Sequence, residues 1–271
     1  EYEYWPQGYS FWRRFYLRWS TKSAAERARK IIAISENTKQ DLIKLYGVKE
    51  EKIRVVHHGV DSKIFNDPFR LVEDEASQIP ISNKIPNPNG QTGKPYLLYV
   101  GRIEAKKNIP GILEAYKILK EKYKVPHELV LAGAPGYGYE NFHPTGGRPK
   151  GEKLKIVELG YVAEEEKWRL LSGASVFLFP SFYEGFGLPI LEAQAMGIPV
   201  VTSLGSCLPE IAGQGALFVN PYNSVEIAQA VNQLIDDKIL RDRLIQLGRE
   251  NVNRFNWEKC AKNTLKVLIN E

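Results

Sequence analysis

The chain has 271 residues, 43% of them hydrophobic and 25% charged, the makeup of a globular protein with room for one large domain or one and a half. Its formal charge of +5 suits phosphate-bearing ligands, acidic lipid or nucleic acid equally and does not choose among them. Two cysteines, Cys207 and Cys260, exclude a disulfide framework and a paired Cys-x-x-Cys metal site, and point to a reducing compartment. No apolar run reaches the ~20 residues of a membrane span, and the N-terminus lacks the basic start and apolar run of a secretory signal. The expected location is the cytoplasm, peripheral to a membrane at most.

The first nineteen residues interleave Tyr2, Tyr4, Trp5, Tyr9, Phe11, Trp12, Phe15, Tyr16 and Trp19 with Arg13, Arg14 and Arg18. One reading is a helix whose aromatic face packs on a domain missing from this chain. The other is a helix that meets a membrane surface or an acceptor, since basic and aromatic residues together suit the bilayer interface. Helix, strand and helix follow: Ala24 to Lys30, Ile31 to Ile34, then Ser35 as N-cap ahead of Thr38 to Tyr46, closed by Gly47. A strand-like Ile53 to Val56 leads into His57-His58-Gly59-Val60-Asp61. Residues 68–95 are polar and proline-rich without apolar period, which reads as a hinge followed by an insert.

From Tyr96 the pattern is regular. Short apolar, β-branched runs at Leu97 to Val100, Leu129 to Ala132, Ile156 to Leu159, Val176 to Phe179, Val200 to Thr202 and Leu217 to Val219 alternate with amphipathic stretches. The latter are Pro110 to Tyr123, Glu164 to Leu171, Pro189 to Met196 and Val225 to Ile235. Strands apolar on both faces, each followed by a helix, predict an α/β fold: a Rossmann-like, doubly wound parallel sheet with right-handed crossovers. Two last helices, about Lys238 to Arg254 and Trp257 to Ile269, have no strand after them and must cover a surface elsewhere.

Ligands of such sheets bind beyond the carboxyl ends of the strands. Two groups fall there. The first is Gly101-Arg102-Ile103-Glu104-Ala105-Lys106-Lys107-Asn108, where Gly101 lets the chain turn and Arg102 and Lys107 can reach a phosphate at the N-terminus of the next helix, with Asn108 as its expected cap. The second runs from Ser181 to Glu192. Gly185 and Gly187 allow backbone amides to approach a ligand, and the acceptor-only carboxylates of Glu184 and Glu192 suit hydroxyls, of a sugar ring and of a ribose respectively.

The stretch Glu184 to Glu192 with its following alanine, E-G-F-G-L-P-I-L-E-A, resembles the E-x7-E motif of retaining glycosyltransferases of family 4. The likeness extends to Ile32–Leu42, Val55–Asp61, Val100–Asn108, Leu129–Gly133, Leu159–Val162 and Phe255–Glu258. It implies the C-terminal half of a GT-B fold, with a nucleoside diphosphate sugar as donor. By the same resemblance Arg102 and Lys107 hold the diphosphate beside Gly101, and Glu184 with the amides of Gly185, Phe186, Gly187 and Leu188 meets sugar and phosphate. Glu192 takes the ribose, Gly133 belongs to the donor site, and Tyr161 and Val162 lie by the base. Glu184, Arg102 and Lys107 are the expected catalytic residues, acting without a cofactor or metal ion, in line with the absence of an Asp-x-Asp motif from the sequence.

The organisation so implied is a remnant of an acceptor-side domain over 1–59, a hinge and insert over 60–95, the donor-binding domain over 96–256 and a terminal crossing helix over 257–271. The expected reaction is hexosyl transfer, of the GDP-mannose or UDP-glucose type, to a glycan or lipid-linked acceptor. A binding module that recognises the donor without turning it over is the alternative. Nucleic acid is not an expected partner, because basic and aromatic residues combine only near the N-terminus. Gly90 to Pro95 partly matches a phosphate loop but lacks the hydroxyl residue after its lysine and reads as a turn. His57 and His58 read as structural, His127 and His143 as surface residues, and Cys207 as a buried, inert thiol.

Overall fold

A computed structural model describes residues 2–60, 95–141 and 154–269. The insert, the Gly90 to Lys94 turn and His143 lie outside these residues. Among them are eight strands. Six form one parallel sheet in the order β5-β4-β3-β6-β7-β8, where β3 is Tyr96–Val100, β4 Glu128–Ala132, β5 Ile156–Gly160, β6 Val176–Phe179, β7 Val200–Ser203 and β8 Ala216–Val219. This is the α/β, Rossmann-like arrangement expected of half a GT-B fold. Each predicted strand is present, displaced by no more than a residue at either end.

The strands of the middle are apolar runs because both faces are covered: Leu97, Leu98, Tyr99, Leu129, Val130, Leu131, Val176 and Phe177 are all fully buried. Helices α3 (Ile109–Glu121) and α7 (Ser224–Asp236) pack on each other over the sheet, as do α5 (Leu188–Ala195) and α8 (Lys238–Val252), with α4 (Glu164–Gly173) lying against β3. A short helix, α6 (Leu208–Ala212), escaped the sequence pattern because five residues carry too little period to read. Its carbonyls are held by a buried amide pair: Gln194 Nε2 donates to Ala212 O at 2.8 Å, and Asn251 Nδ2 donates to Gln194 Oε1 and Ile211 O, both at 2.8 Å. The surface that α8 covers is therefore the back of α5 and α6.

The N-terminal elements form a smaller unit. Helix α1 (Phe11–Arg27) is longer than the predicted Ala24 to Lys30 and stops three residues earlier. After it β1 (Ile31–Ala33), α2 (Glu36–Tyr46) and β2 (Ile53–Val55) make a parallel βαβ unit around Ala25, Ala33, Val48 and Ile53. Ser35 caps α2 as expected, accepting from the amide of Thr38 at 3.1 Å, and Gly47 closes it with a φ of 64°. The last helix, α9 (Trp257–Leu268), buries none of its residues. Its start is tied to the hinge, where Val60 N donates to Phe255 O at 3.2 Å and the His58 and Trp257 rings lie 5.7 Å apart.

The path of the chain places a functional site. From β3 it winds outward through β4 to β5, then returns to lay β6 on the other side of β3, so the turns after β3 and β6 diverge at a switch point that opens a crevice. Gly133, after β4, closes one side: its φ is 151°, and a Cβ there would stand 1.8 Å from the carbonyl oxygen of Gly101. Gly133→Ala must displace the Gly101 turn, and a loss of at least ~2 kcal/mol in urea-induced unfolding is expected.

Candidate functional site

The turn after β3 and the loop after β6 bring their charged residues together. Lys107 ends a single 3-10 turn (Ala105–Lys107), and its ammonium donates to Glu184 Oε1; both side chains are mostly enclosed. The ring of Phe179, at the end of β6, lies 5.5 Å from the same nitrogen. Glu184 is held from behind, because its amide donates to Ser206 Oγ at 3.0 Å and its carbonyl accepts from the Cys207 thiol at 3.1 Å. That thiol is fully buried, and burial pushes its pKa up to about 12, which leaves it without nucleophilic character.

Past Glu184 the chain rises into α5. Gly187 takes a φ of 109° at the N-cap position, a conformation a side chain would strain, and Pro189 occupies the first turn. The amides of Gly185, Phe186, Gly187 and Leu188 donate to no acceptor among the described residues, so four N–H groups are left unpaired at the N-terminus of α5. Such an edge attracts anions. Phe186 is buried against His57, His58 and Phe255, which fixes the loop from the hinge side.

The other predicted site residues are distributed around this centre. Arg102 is exposed on the turn after β3. Glu192 is one turn into α5, where Oε1 accepts from Lys167 at 2.8 Å. Val162 is half-buried and Tyr161 is 82% exposed just beyond β5, two strands from β3.

Two expectations require correction. Asn108 stands at the N-cap of α3 but does not cap it; its backbone is left-handed, and Nδ2 donates instead to Pro180 O at 3.1 Å and Pro221 O at 2.6 Å. It ties together the loops after β6 and β8. His127 is buried, not on the surface, with a pKa lowered to about 4 by burial and by the nearby Lys120.

The sequence reading missed the residues that join the N-terminal unit to this loop. Glu210 sits at the N-terminus of α2, accepting from the amide of Glu36 at 2.9 and 3.0 Å, from that of Asn37 at 3.4 Å, and from His57 Nε2 at 2.6 Å. Ser35 Oγ donates to Gly185 O at 3.0 Å. The Tyr183 hydroxyl donates to Asp41, and its ring stacks on Tyr4 at 4.3 Å, while Trp5 stacks on Phe182 at 5.5 Å. Nothing in the pattern of the chain paired Glu210 with a residue 174 positions away.

Comparison with known proteins adds the family. The profile of Glycosyl transferases group 1 matches residues 81–251, more than half of the chain, and that of Glycosyltransferase Family 4 matches residues 1–63. The chain belongs to the group 1 glycosyltransferases. It is 30% identical over 252 residues to O-antigen chain mannosyltransferase B of Escherichia coli, covering 93% of this chain and 63% of that protein. In fold it is similar to sucrose-phosphate synthase of Thermosynechococcus elongatus, with a TM-score of 0.71 and 22% identity over 95% of this chain and 62% of the other. It is likewise similar to Anabaena Alr3699/HepE in complex with UDP and glucose, with a TM-score of 0.72 and 19% identity over 97% and 68%. The chain thus spans under two thirds of the length of the relatives from Escherichia coli and, at 54%, of a D-inositol 3-phosphate glycosyltransferase from Nocardioides. Among the described residues no helix is long and apolar enough to cross a membrane, and no three His, Cys, Asp or Glu side chains are grouped to hold a metal ion.

Burial of Glu210 works to raise its pKa, but the hydrogen bonds from His57 and from the amides of Glu36 and Asn37 outweigh it and hold the group below its ordinary 4.5. A carboxyl whose pKa is lowered on folding stabilises the fold above the unfolded value and loses that contribution as pH falls through the folded one. Glu210→Gln is therefore expected to lower stability at pH 7 by about 1–2 kcal/mol and to flatten the fall in stability below pH 4.5, measured by urea unfolding across pH.

Proposed function

We propose that the chain carries the donor site of a retaining glycosyltransferase, which moves a hexosyl group from a nucleoside diphosphate sugar to a glycan or lipid-linked acceptor. The observation that carries this reading is the Lys107–Glu184 pair, seated at the switch point between the unpaired amides of the Gly185 loop and the Gly101 turn. A cation and four N–H donors suit a diphosphate; a carboxylate beside them suits sugar hydroxyls.

In the proposed reaction the bond between the anomeric carbon and the diphosphate oxygen breaks, and a bond from that carbon to the acceptor oxygen forms on the same face. The hydroxyl proton leaves with the diphosphate. Negative charge grows on the leaving group, and Arg102, Lys107 once released from Glu184, and the Gly185 to Leu188 amides stabilise it, so that neither metal nor cofactor is required. Glu184 exchanges Lys107 for hydroxyls of the transferred ring. Glu192 exchanges Lys167 for the ribose, and Tyr161 and Val162 flank the base, with Gly133 allowing the close approach of the Gly101 turn.

A mannosyl or glucosyl donor is favoured by the relatives' names, O-antigen chain mannosyltransferase B among them, and by the UDP and glucose of the Anabaena complex. The reading extends to a cytoplasmic protein at a membrane face, because Phe11, Trp12, Phe15, Tyr16 and Trp19 of α1 are more than 60% exposed among arginines.

Calorimetric titration with GDP, UDP and ADP and their mannose and glucose conjugates, in chelator, tests this. One nucleotide binds saturably and its sugar conjugate binds tighter; Lys107→Ala and Arg102→Ala each weaken both by tenfold or more. Glu184→Ala leaves nucleotide affinity near the wild-type value and abolishes the gain from the sugar. Equal loss for nucleotide with and without sugar in Glu184→Ala counts against the assignment.

A further inference from the structure

Behind each partner of the Lys107–Glu184 pair stands a residue whose backbone is left-handed although it is not a glycine. Among the described residues three non-glycines have a positive φ: Asn108 at 59°, Lys124 at 54° and Ser206 at 61°. Asn108 follows Lys107 directly, and Ser206, on the turn between β7 and α6, lies against Glu184. A serine in this conformation is strained, and such strain persists only where the surroundings impose it. We propose that Ser206 is a positioning residue, which aims the Glu184 carboxylate at hydroxyls of the transferred sugar and so decides how much affinity the sugar adds to the nucleotide. This rests on the reading of Glu184 as the group that meets the hexose.

One oxygen atom carries the contact. Ser206 Oγ accepts from the Glu184 amide at 3.0 Å, and its own hydroxyl donates back to the Glu184 carbonyl. An atom that meets both the N–H and the C=O of one residue restrains both of that residue's backbone torsions at once. Alanine or glycine supplies neither half. The same turn adds two supports: Cys207 Sγ lies 3.1 Å from Glu184 O and 3.0 Å from Phe186 O, and a Cβ placed on Gly187 would stand 3.0 Å from Leu208. Cys207 and Leu208 are fully buried, so the turn is itself fixed by the core.

The effect of Ser206 falls on the state in which the ion pair has opened. Among the described residues Lys107 is the hydrogen-bond partner of the Glu184 carboxylate, and once it turns to a diphosphate the carboxylate is aimed by its backbone alone. Hydrogen bonds weaken steeply with poor geometry, so a carboxylate on a clamped backbone keeps sugar hydroxyls that one on a shifting backbone loses. The nucleotide side is held separately. The amides of Gly185 to Leu188 are anchored by α5 and by Phe186, which is buried against His57, His58 and Phe255. Loss of the Ser206 hydroxyl therefore acts on the sugar and spares the diphosphate.

The test measures dissociation constants for GDP, UDP and ADP and for their mannose and glucose conjugates in Ser206→Gly and Ser206→Ala. Both variants lack the hydroxyl, but glycine accepts the left-handed backbone without strain, so Ser206→Gly folds and unfolds at a higher urea concentration than Ser206→Ala. In both, nucleotide affinity stays within about twofold of wild type, while the ratio of nucleotide to conjugate dissociation constants falls at least threefold. Combined with Glu184→Ala, Ser206→Gly causes no further fall, because the two act through one contact.

A wild-type ratio in Ser206→Gly overturns the proposal, as does a parallel loss for nucleotide and conjugate, or a further fall in the double variant. Each of these leaves the donor reading standing. A wild-type ratio in Glu184→Ala, or a chain that binds no nucleotide, overturns the donor reading and the proposal with it, because Ser206 then has no sugar contact to aim.

Discussion

An ammonium and a carboxylate that enclose each other at the centre of a crevice dominate the organisation of this chain. Lys107 and Glu184 come from loops 77 residues apart in sequence, and their pairing requires β3 and β6 to be neighbours with their carboxyl ends level. Taking two charges out of water costs several kcal/mol each, which their mutual attraction offsets only where the geometry is good. Here Asn108 bridges Pro180 and Pro221, Ser206 holds the Glu184 amide, and Phe179 lies under the ammonium, so the pair is fixed from three sides. A ligand that offers phosphate to the lysine and hydroxyls to the carboxylate replaces one set of partners with another. The crevice is thus charged and directional before any ligand arrives.

The N-terminal unit meets the same loop from above. Glu210 places a carboxylate where the dipole and free amides of α2 favour one, and His57 brings the hinge to the same oxygen. Tyr183 and Phe182, on either side of a single peptide bond, stack on Tyr4 and Trp5. The residues proposed to approach the sugar and those that anchor the neighbouring unit are interleaved along one short stretch, Ser181 to Leu188. Any shift of the N-terminal unit is therefore transmitted to Glu184 through covalent neighbours.

The sheet was legible because its strands are buried on both faces. Leu97 to Val100 and Val176 to Phe179 are unbroken apolar runs, and the alternation with amphipathic helices leaves few topologies. The two loops of the crevice were legible for a related reason, since glycines, a Pro at the first turn of α5 and clustered charges fall together at strand ends. What escaped was decided by distant neighbours. Asn108 has the identity of a helix cap, yet two carbonyls from other loops take its amide; His127 looks polar, yet the fold covers it. Glu210 and the partners of Trp5 depend on how two units dock, which no local period encodes. The pairing of Lys107 with Glu184 was likewise beyond the sequence, although each residue was singled out there.

Under the proposed function, Lys107 and Glu184 part to receive the two ends of a nucleoside diphosphate sugar. The decisive measurement is a crystal structure of the chain with such a sugar bound, grown in chelator. Lys107 is predicted to have moved onto a phosphate oxygen, the amides of Gly185 to Leu188 to face the diphosphate, and Glu184 to accept from hydroxyls of the hexose. A donor bound elsewhere, or bound with the Lys107–Glu184 pair intact and the hexose out of reach of Glu184, would contradict it.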